Sequence, residues 1–270
     1  MHLRKALLLA TVLLLLLAAV PLFATGEQEG AVEEVAPGIP RNETLIIDQI
    51  FRYPEPGNYN FWIPGTSTPT RQALINETLW YVDQQTAEWI NGIAATEPIY
   101  NDDYTQMTVE VREDIFWSDG EQITADDVVF TTETLMENEG MLWGAELRRY
   151  VDEVYLEDEF TAVFELTQSN SRFHSHFTAR YNSIYIMPEH VWAEVDNPLT
   201  FKFYPPVSAG QYLPVEHDPQ GSWEIFERRE DYQDTVVAAV VGEDKAPPKY
   251  ILHQYPGPYE QYVLAMAEHD

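Results

Sequence analysis

The stretch from Val111 to Phe130, VREDIFWSDGEQITADDVVF, constrains this chain more than any other. Just before it, residues 105–111 alternate, with Met107, Val109 and Val111 on one side and Thr108 and Glu110 on the other. A period of two predicts a half-buried strand. Ser118-Asp119-Gly120 then predicts a tight turn, because Asp-Gly tolerates positive φ. Thr124 stands before a helical pattern, with Asp127 three residues on, an acidic form of the capping box. Asp126 and Asp127 also fall at the positive end of the helix dipole. Val128, Val129, Thr132, Leu135 and Met136 supply that helix with an apolar face.

Composition limits the classes open to such a scaffold. With 270 residues, 45% of them hydrophobic, the chain can build one large core or two small ones. A formal charge of −30 repels a phosphate backbone and excludes nucleic acid as a partner. We read the acidity as solubility in a salty setting. There is no Cys, which removes disulfides, thiolate metal sites, Cys nucleophiles and a lipid-modified N-terminal Cys. Arg4 and Lys5 precede an apolar run, Ala6 to Val20, of signal-peptide rather than membrane-span length. Ala24-Thr25-Gly26 offers a small-x-small cleavage site. Residues 1–24 are therefore expected to be a signal peptide. Residues 25–43, acidic and broken by Pro37, Gly38 and Pro40, are expected to be a disordered lead-in.

The string itself says more than its local physics. Arg112, the Trp117-Ser118-Asp119-Gly120 turn and Thr124-Ala125-Asp126-Asp127-Val128-Val129-Phe130 resemble the hallmark of the family 5 extracellular solute-binding proteins of ABC importers. Met187-Pro188-Glu189-His190-Val191-Trp192 resembles a second landmark of that family. Leu79 to Asp83 and Trp89 to Ala94 resemble two more. In Pro206-Val207-Ser208-Ala209-Gly210-Gln211-Tyr212 the family pattern is Pro-Val/Ile-Gly-Thr-Gly-Pro-Tyr, so Ser208, Ala209 and Gln211 depart from it. The resemblance runs from about Leu45 to the chain end. It implies an α/β fold of the periplasmic-binding-protein type (type II, large cluster with an extra subdomain). A mixed-sheet lobe would carry an antiparallel subdomain, and the second lobe would be missing. Residues 44–270 would be the first lobe, with 44–75 and 205–270 as core subdomain and 76–204 inserted.

The remaining segments read as follows. Thr44 to Ile50 and Lys249 to Tyr255 predict strands, and Trp223 to Arg229 resembles a strand of that family. Phe51 to Pro69 mixes aromatics with Pro, Gly and Asn and predicts an irregular loop. Aromatic faces on a rigid loop suit a sugar or peptide, although the same rings could simply pack the loop down. The resemblance turns this segment toward the cleft. The expected ligand-binding residues are therefore Phe51, Tyr53, Asn60, Trp62, Trp80, Gly210 and Tyr212. Thr70 to Trp80 predicts a helix, and so does Tyr259 to Asp270. Val151–Leu156 and Phe160–Leu166 predict two strands that, with the first, form an antiparallel meander.

Chemistry other than binding has little support. His174-Ser175-His176 spaces two imidazoles for one face of a strand, but two ligands make a weak metal site. Carboxylate pairs are expected by chance among 45 acids. No phosphate loop or G-x-S-x-G elbow occurs. No catalytic residue, metal or cofactor is assigned. What the resemblance implies is a monomeric periplasmic protein that captures an oligosaccharide or oligopeptide and hands it to an inner-membrane ABC permease. Sugar is slightly preferred because of the aromatic loop. A secreted glycan-active hydrolase is the alternative.

Overall fold

The computed structural model describes residues 34–36, 38–66, 68–179, 183–242, 246–258 and 263–264. The expected signal peptide and nearly all of the expected C-terminal helix lie outside them. Among the described residues no helix is long and apolar enough to cross a membrane. Residues 34–43, expected without structure, carry a short strand pair, β1 (Glu34–Ala36) with β2 (Ile39–Pro40), and a 3-10 turn, Arg41–Glu43. Thr44 pins that turn by donating its hydroxyl to the Pro40 carbonyl at 2.7 Å.

Strand β3 (Thr44–Asp48) follows, then the irregular loop and helix α1 (Pro69–Ile75). Helix α1 starts where the sequence supplies Thr68 as N-cap and Pro69 as a first residue that needs no amide partner. It stops at Ile75, not at Trp80 as the apolar spacing suggested. Asn76 is extended, the Thr78 hydroxyl bonds the Trp80 carbonyl, and Trp80 enters strand β4 (Trp80–Val82), paired with β5 (Trp89–Asn91). The β-branched and polar Asn76-Glu77-Thr78 segment offers local side-chain bonds that compete with the helix.

One four-stranded sheet is wholly antiparallel, in the order β6 (Ile99–Tyr100), β7 (Gln106–Glu110), β9 (Thr161–Leu166), β8 (Val151–Asp158). The predicted strand is β7, with Met107 and Val109 buried. The arrangement is not a simple meander. Between β7 and β8 the chain runs through α2 (Ala125–Glu137) and α3 (Gly144–Tyr150), so β9 lies beside β7 and β8 takes the edge. Gly120 has φ +93°, as the Asp-Gly turn requires. Asp127 accepts from the Thr124 amide at 3.0 Å, forming the return arm of the capping box.

That same carboxylate does more than cap. It accepts from the indole of Trp117 at 3.3 Å and from the amide of Glu189 at 2.8 Å. It thereby joins the turn, α2 and α4 (Glu189–Trp192), the helix of the Met-Pro-Glu-His-Val-Trp landmark. Burial pushes Asp127 up to about 6, against the pull of these donors. His190 and Asp119, 2.8 Å apart, repeat the connection at the surface. His174-Ser175-His176 lies in a 3-10 turn, Phe173–Phe177, rather than a strand, and His174 packs edge-on against Trp89. Among the described residues no set of three or more His, Cys, Asp or Glu converges as metal ligands.

The second four-stranded sheet is mixed, in the order β10 (Tyr212–His217), β11 (Trp223–Arg228), β12 (Tyr250–Gln254), β3. Strands β12 and β3 are parallel, with Leu252 opposite Ile46 and Gln254 opposite Asp48. A parallel pair cannot be closed by a tight turn. Here the connection is nearly all of the intervening chain, including the antiparallel sheet. One face of the mixed sheet sends Tyr212, Phe226 and Ile251 into the main core, which continues through Trp62, Trp80, Trp117, Phe164 and Trp192. The other face carries a small cluster of Ile225, Tyr250 and Leu252.

Candidate functional site

The aromatic loop is held down by one buried cation. Arg71, on α1, is fully buried and pairs with buried Glu224 of β11 at 3.0 Å. Its guanidinium also donates to the carbonyls of Thr66 at 2.9 Å and Asn58 at 3.0 Å. The rings of Tyr53, Tyr59 and Phe61 lie around it, with centroids 5.0, 4.5 and 5.7 Å from the guanidinium carbon. Tyr53 further meets His253 through a close hydroxyl–imidazole contact. Burial pushes Glu224 up to about 7, partly countered by Arg71, and pushes His253 down to about 4. A buried Glu and Arg that keep each other paired fix the loop by the cost of separating them.

Apart from Phe51, the expected binding residues lie around this anchor or against the core beside it. Tyr53, Asn60, Trp62, Trp80 and Tyr212 are all at most 3% exposed, and their polar atoms bond the chain itself. Asn60 donates to the carbonyls of Pro198 and Phe201, Trp62 to Tyr185, Trp80 to Thr96 and Tyr212 to Pro248. In this structure all five pack into the protein, because a ring on a loop gains by covering the core beneath it. Gly210 is likewise pressed into the protein. Its amide donates to the Ile75 carbonyl at 2.7 Å, and a Cβ there would come within 2.5 Å of the Leu74 carbonyl oxygen. Only Phe51, 48% exposed, faces solvent, and it does not line the cavity described next.

A cavity of about 570 Å³ opens beside these segments. Its floor is α1, through Pro69, Gln72 and Ala73. One wall is the β4–β5 hairpin, through Tyr81, Val82 and Ile90, and another is α5 (Val236–Val241). Glu77, Ala179, Tyr185 and Gln211 complete it. The sequence pointed to neighbours of lining residues: Trp80 is next to Tyr81, and Gly210 and Tyr212 flank Gln211. It missed Glu77, although a Glu placed between Ile75 and Leu79-Trp80 is a legible sign of a buried acid.

Glu77 is 1% exposed and accepts from the Tyr81 hydroxyl. Burial lifts its carboxyl to about 8, so at neutral pH it is mostly uncharged. Burial also lifts Tyr185, to about 12, with the nearby Glu77 adding to the effect. Among the described lining residues there is one carboxyl and no Ser, Cys, Lys or His. Glycoside hydrolysis needs two carboxyls across a bond, and acyl transfer needs a nucleophile beside a base. This lining has neither arrangement.

Comparison with known proteins gives a family. The model of the bacterial extracellular solute-binding proteins, family 5 (middle region), matches residues 89–263, more than half of the chain. The chain belongs to that family. A curated relative, a probable peptide-binding protein YejA from Agrobacterium fabrum, is 26% identical over 179 residues, which are 64% of this chain and 28% of that one. Among solved structures, a mannohexaose-bound periplasmic oligopeptide-binding protein from Thermotoga maritima superposes with a TM-score of 0.69 at 20% identity, covering 84% of this chain and 40% of that one. AppA from Bacillus subtilis in complex with a nonapeptide gives 0.65 at 18% identity, with coverage of 83% and 42%. NikZ from Campylobacter jejuni with Ni(L-His) gives 0.61 at 18% identity, with coverage of 84% and 41%. The fold is thus the α/β, periplasmic-binding-protein-like one that the sequence implied. The chain spans less than half the length of each of these relatives.

Proposed function

We propose that this chain forms one wall of the solute site of an ABC importer's extracytoplasmic binding protein, and that the solute is a peptide. The observation that carries the reading is the cavity between α1, the β4–β5 hairpin and α5, with its valine-rich wall and single buried acid. Apolar side chains suit that wall, and Gln72, Glu77, Tyr81 and Gln211 supply the few polar groups that orient a ligand. The preference for sugar weakens, because Tyr53, Tyr59 and Phe61 of the aromatic loop that suggested pyranose stacking are buried around Arg71. Nickel bound to NikZ and mannohexaose bound to the Thermotoga protein are ligands of those relatives.

In this reading solute enters between two lobes, a hinge closes, and the closed form docks on a membrane permease. No bond is made or broken. The protein works as a periplasmic monomer after removal of residues 1–24. Residues 44–75 and 205–270 act as a core subdomain that carries 76–204 as an insertion. The alternative reading is a secreted glycan-active hydrolase, which product formation would distinguish.

Amide NMR titration tests the reading. A pool of short apolar peptides should shift the amides of Tyr81, Val82, Ile90 and Val236 in saturable fashion, with no product formed. Mannohexaose should leave them in place. Sugar-driven shifts without peptide-driven ones, or turnover of either ligand, would overturn it. Affinity of this 270-residue chain should be weaker than micromolar, because it supplies one wall and the clamp gains its strength from enclosure.

A further inference from the structure

We infer that Arg229 is a positioning residue of the solute cavity, one buried guanidinium that sets the end of α1, the loop carrying Gln211 and the start of α5 against one another. This rests on the proposed function and names the residue that gives its site a fixed shape. Arg229 is 3% exposed. From Nη1 it donates to the carbonyls of Ser208 at 3.0 Å and Gly210 at 3.3 Å. From Nη2 it donates to the carbonyls of Phe116 at 3.2 Å and Trp117 at 3.1 Å. Nε and Nη2 also hold the two carboxylate oxygens of Asp231, at 2.9 and 2.6 Å. Every guanidinium nitrogen is thereby engaged within the chain, so Arg229 acts on a solute only through the segments it grips.

Each grip leads to the cavity. The Gly210 amide and the Ser208 hydroxyl both donate to the carbonyl of Ile75, the last residue of α1, at 2.7 Å. The Gln211 carbonyl accepts from the Arg229 amide at 3.1 Å. Asp231 opens a 3-10 turn, Tyr232–Asp234, that runs into Thr235, the N-cap of α5. Ser118, in the Asp-Gly turn, clasps Ser208: its amide donates to the Ser208 carbonyl and its hydroxyl oxygen accepts from the Ser208 amide, each at 2.9 Å. Helix α1, Gln211 and α5 line the cavity, whereas Arg229, Ser208 and Asp231 do not. The β4–β5 hairpin is held separately, through Tyr81 on Glu77. A Lys at position 229 would supply a point charge where these acceptors need a planar fork. The Asp231 arm is the accessible one. Its side chain is 38% exposed, and hydrogen bonding from Arg229 holds its carboxyl below the usual carboxylate range.

The test titrates the tetrapeptide Val-Leu-Val-Leu against the full 270-residue chain and against Asp231→Asn, Arg229→Lys and Asp114→Asn. Amide shifts report binding, and thermal melts check folding. Asp114→Asn is the control, because Arg112 and Asp114 form a pair of the same spacing, 3.0 Å apart, outside the cavity lining. Asp231→Asn should bind the peptide about tenfold more weakly, Arg229→Lys more weakly still, and Asp114→Asn as the unsubstituted chain does. Without peptide, the Gln211, Val236 and Val237 amides should move in Asp231→Asn while those of Val82 and Ile90 stay in place, a pattern that general loosening does not give. Asp231→Asn decides alone if Arg229→Lys does not fold. Binding by Asp231→Asn as tight as in the unsubstituted chain, an equal loss in Asp114→Asn, or peptide-free shifts spread evenly over hairpin and α5 overturns the role of Arg229 and leaves the cavity's function standing. If the peptide moves neither the Tyr81 nor the Val236 amide of the unsubstituted chain, the proposed function falls, and this inference falls with it.

Discussion

Two neighbouring regions of this protein invert what their compositions suggest. Residues 51–66 hold Phe51, Tyr53, Tyr59, Phe61 and Trp62 on an irregular loop, the look of a recognition surface, yet the last four are at most 3% exposed. Residues 69–90, with 211 and 236–241, look like ordinary helix, hairpin and valine-rich filler, yet they enclose the cavity. The difference lies in what sits beneath each. The loop lies over a buried charge pair, Arg71 and Glu224, and its rings shield that pair from water. The cavity lies where α1 ends early and the chain turns extended, which leaves a gap that no side chain fills.

Substitutions can break this contrast, and the largest effects should come from the loop's anchor. Removing one partner of a buried pair leaves an unpaired charge, so Arg71→Met should cost about 3–5 kcal/mol in denaturant unfolding. Arg71→Met with Glu224→Leu should recover much of that loss. A double variant no more stable than Arg71→Met alone would show that the pair is not what holds the loop. Trp62→Ala should cost a similar ~3–5 kcal/mol through the cavity it leaves beside Trp192 and Phe203.

The acid of the cavity sets the next scale. Glu77 holds its proton up to about pH 8 when folded, against 4.5 unfolded. Between those values the folded state binds the extra proton, so stability falls as pH rises and levels off above the folded value. Relative to Glu77→Gln, the unsubstituted protein should lose about 1.4 kcal/mol per pH unit across that window. Parallel stability curves for the two proteins would place Glu77 in contact with water. The smallest effect should come from Phe51→Ala, within about 0.5 kcal/mol in stability. Its peptide affinity should also be unchanged, since Phe51 is the one loop candidate left in solvent and lies outside the cavity lining. A clear loss of affinity there would return the aromatic loop to the binding site.

Much of the architecture was legible before any coordinates. Alternation at 105–111 became β7, Asp119-Gly120 became a positive-φ turn, and Thr124 with Asp127 became the start of a capped helix. These are local matters, set by side-chain period, by φ preference and by a hydrogen bond reaching three residues. The same stretch carried the family resemblance that the family model bears out over residues 89–263. Apolar spacing through Leu79 and Trp80 imitates a continuation of helix α1, whereas pairing with β5 makes Trp80 strand.

What the amino-acid sequence determined by itself, then, was part of the elements, the family and the α/β class, because each follows from interactions a few residues long or from a motif. What only the tertiary structure decided was which side chains are buried and which line the cavity. Whether Tyr59 meets solvent or Arg71, and whether Gln211 has a partner, depends on residues brought together across the chain. Burial is a property of that assembly, and no local pattern encodes it.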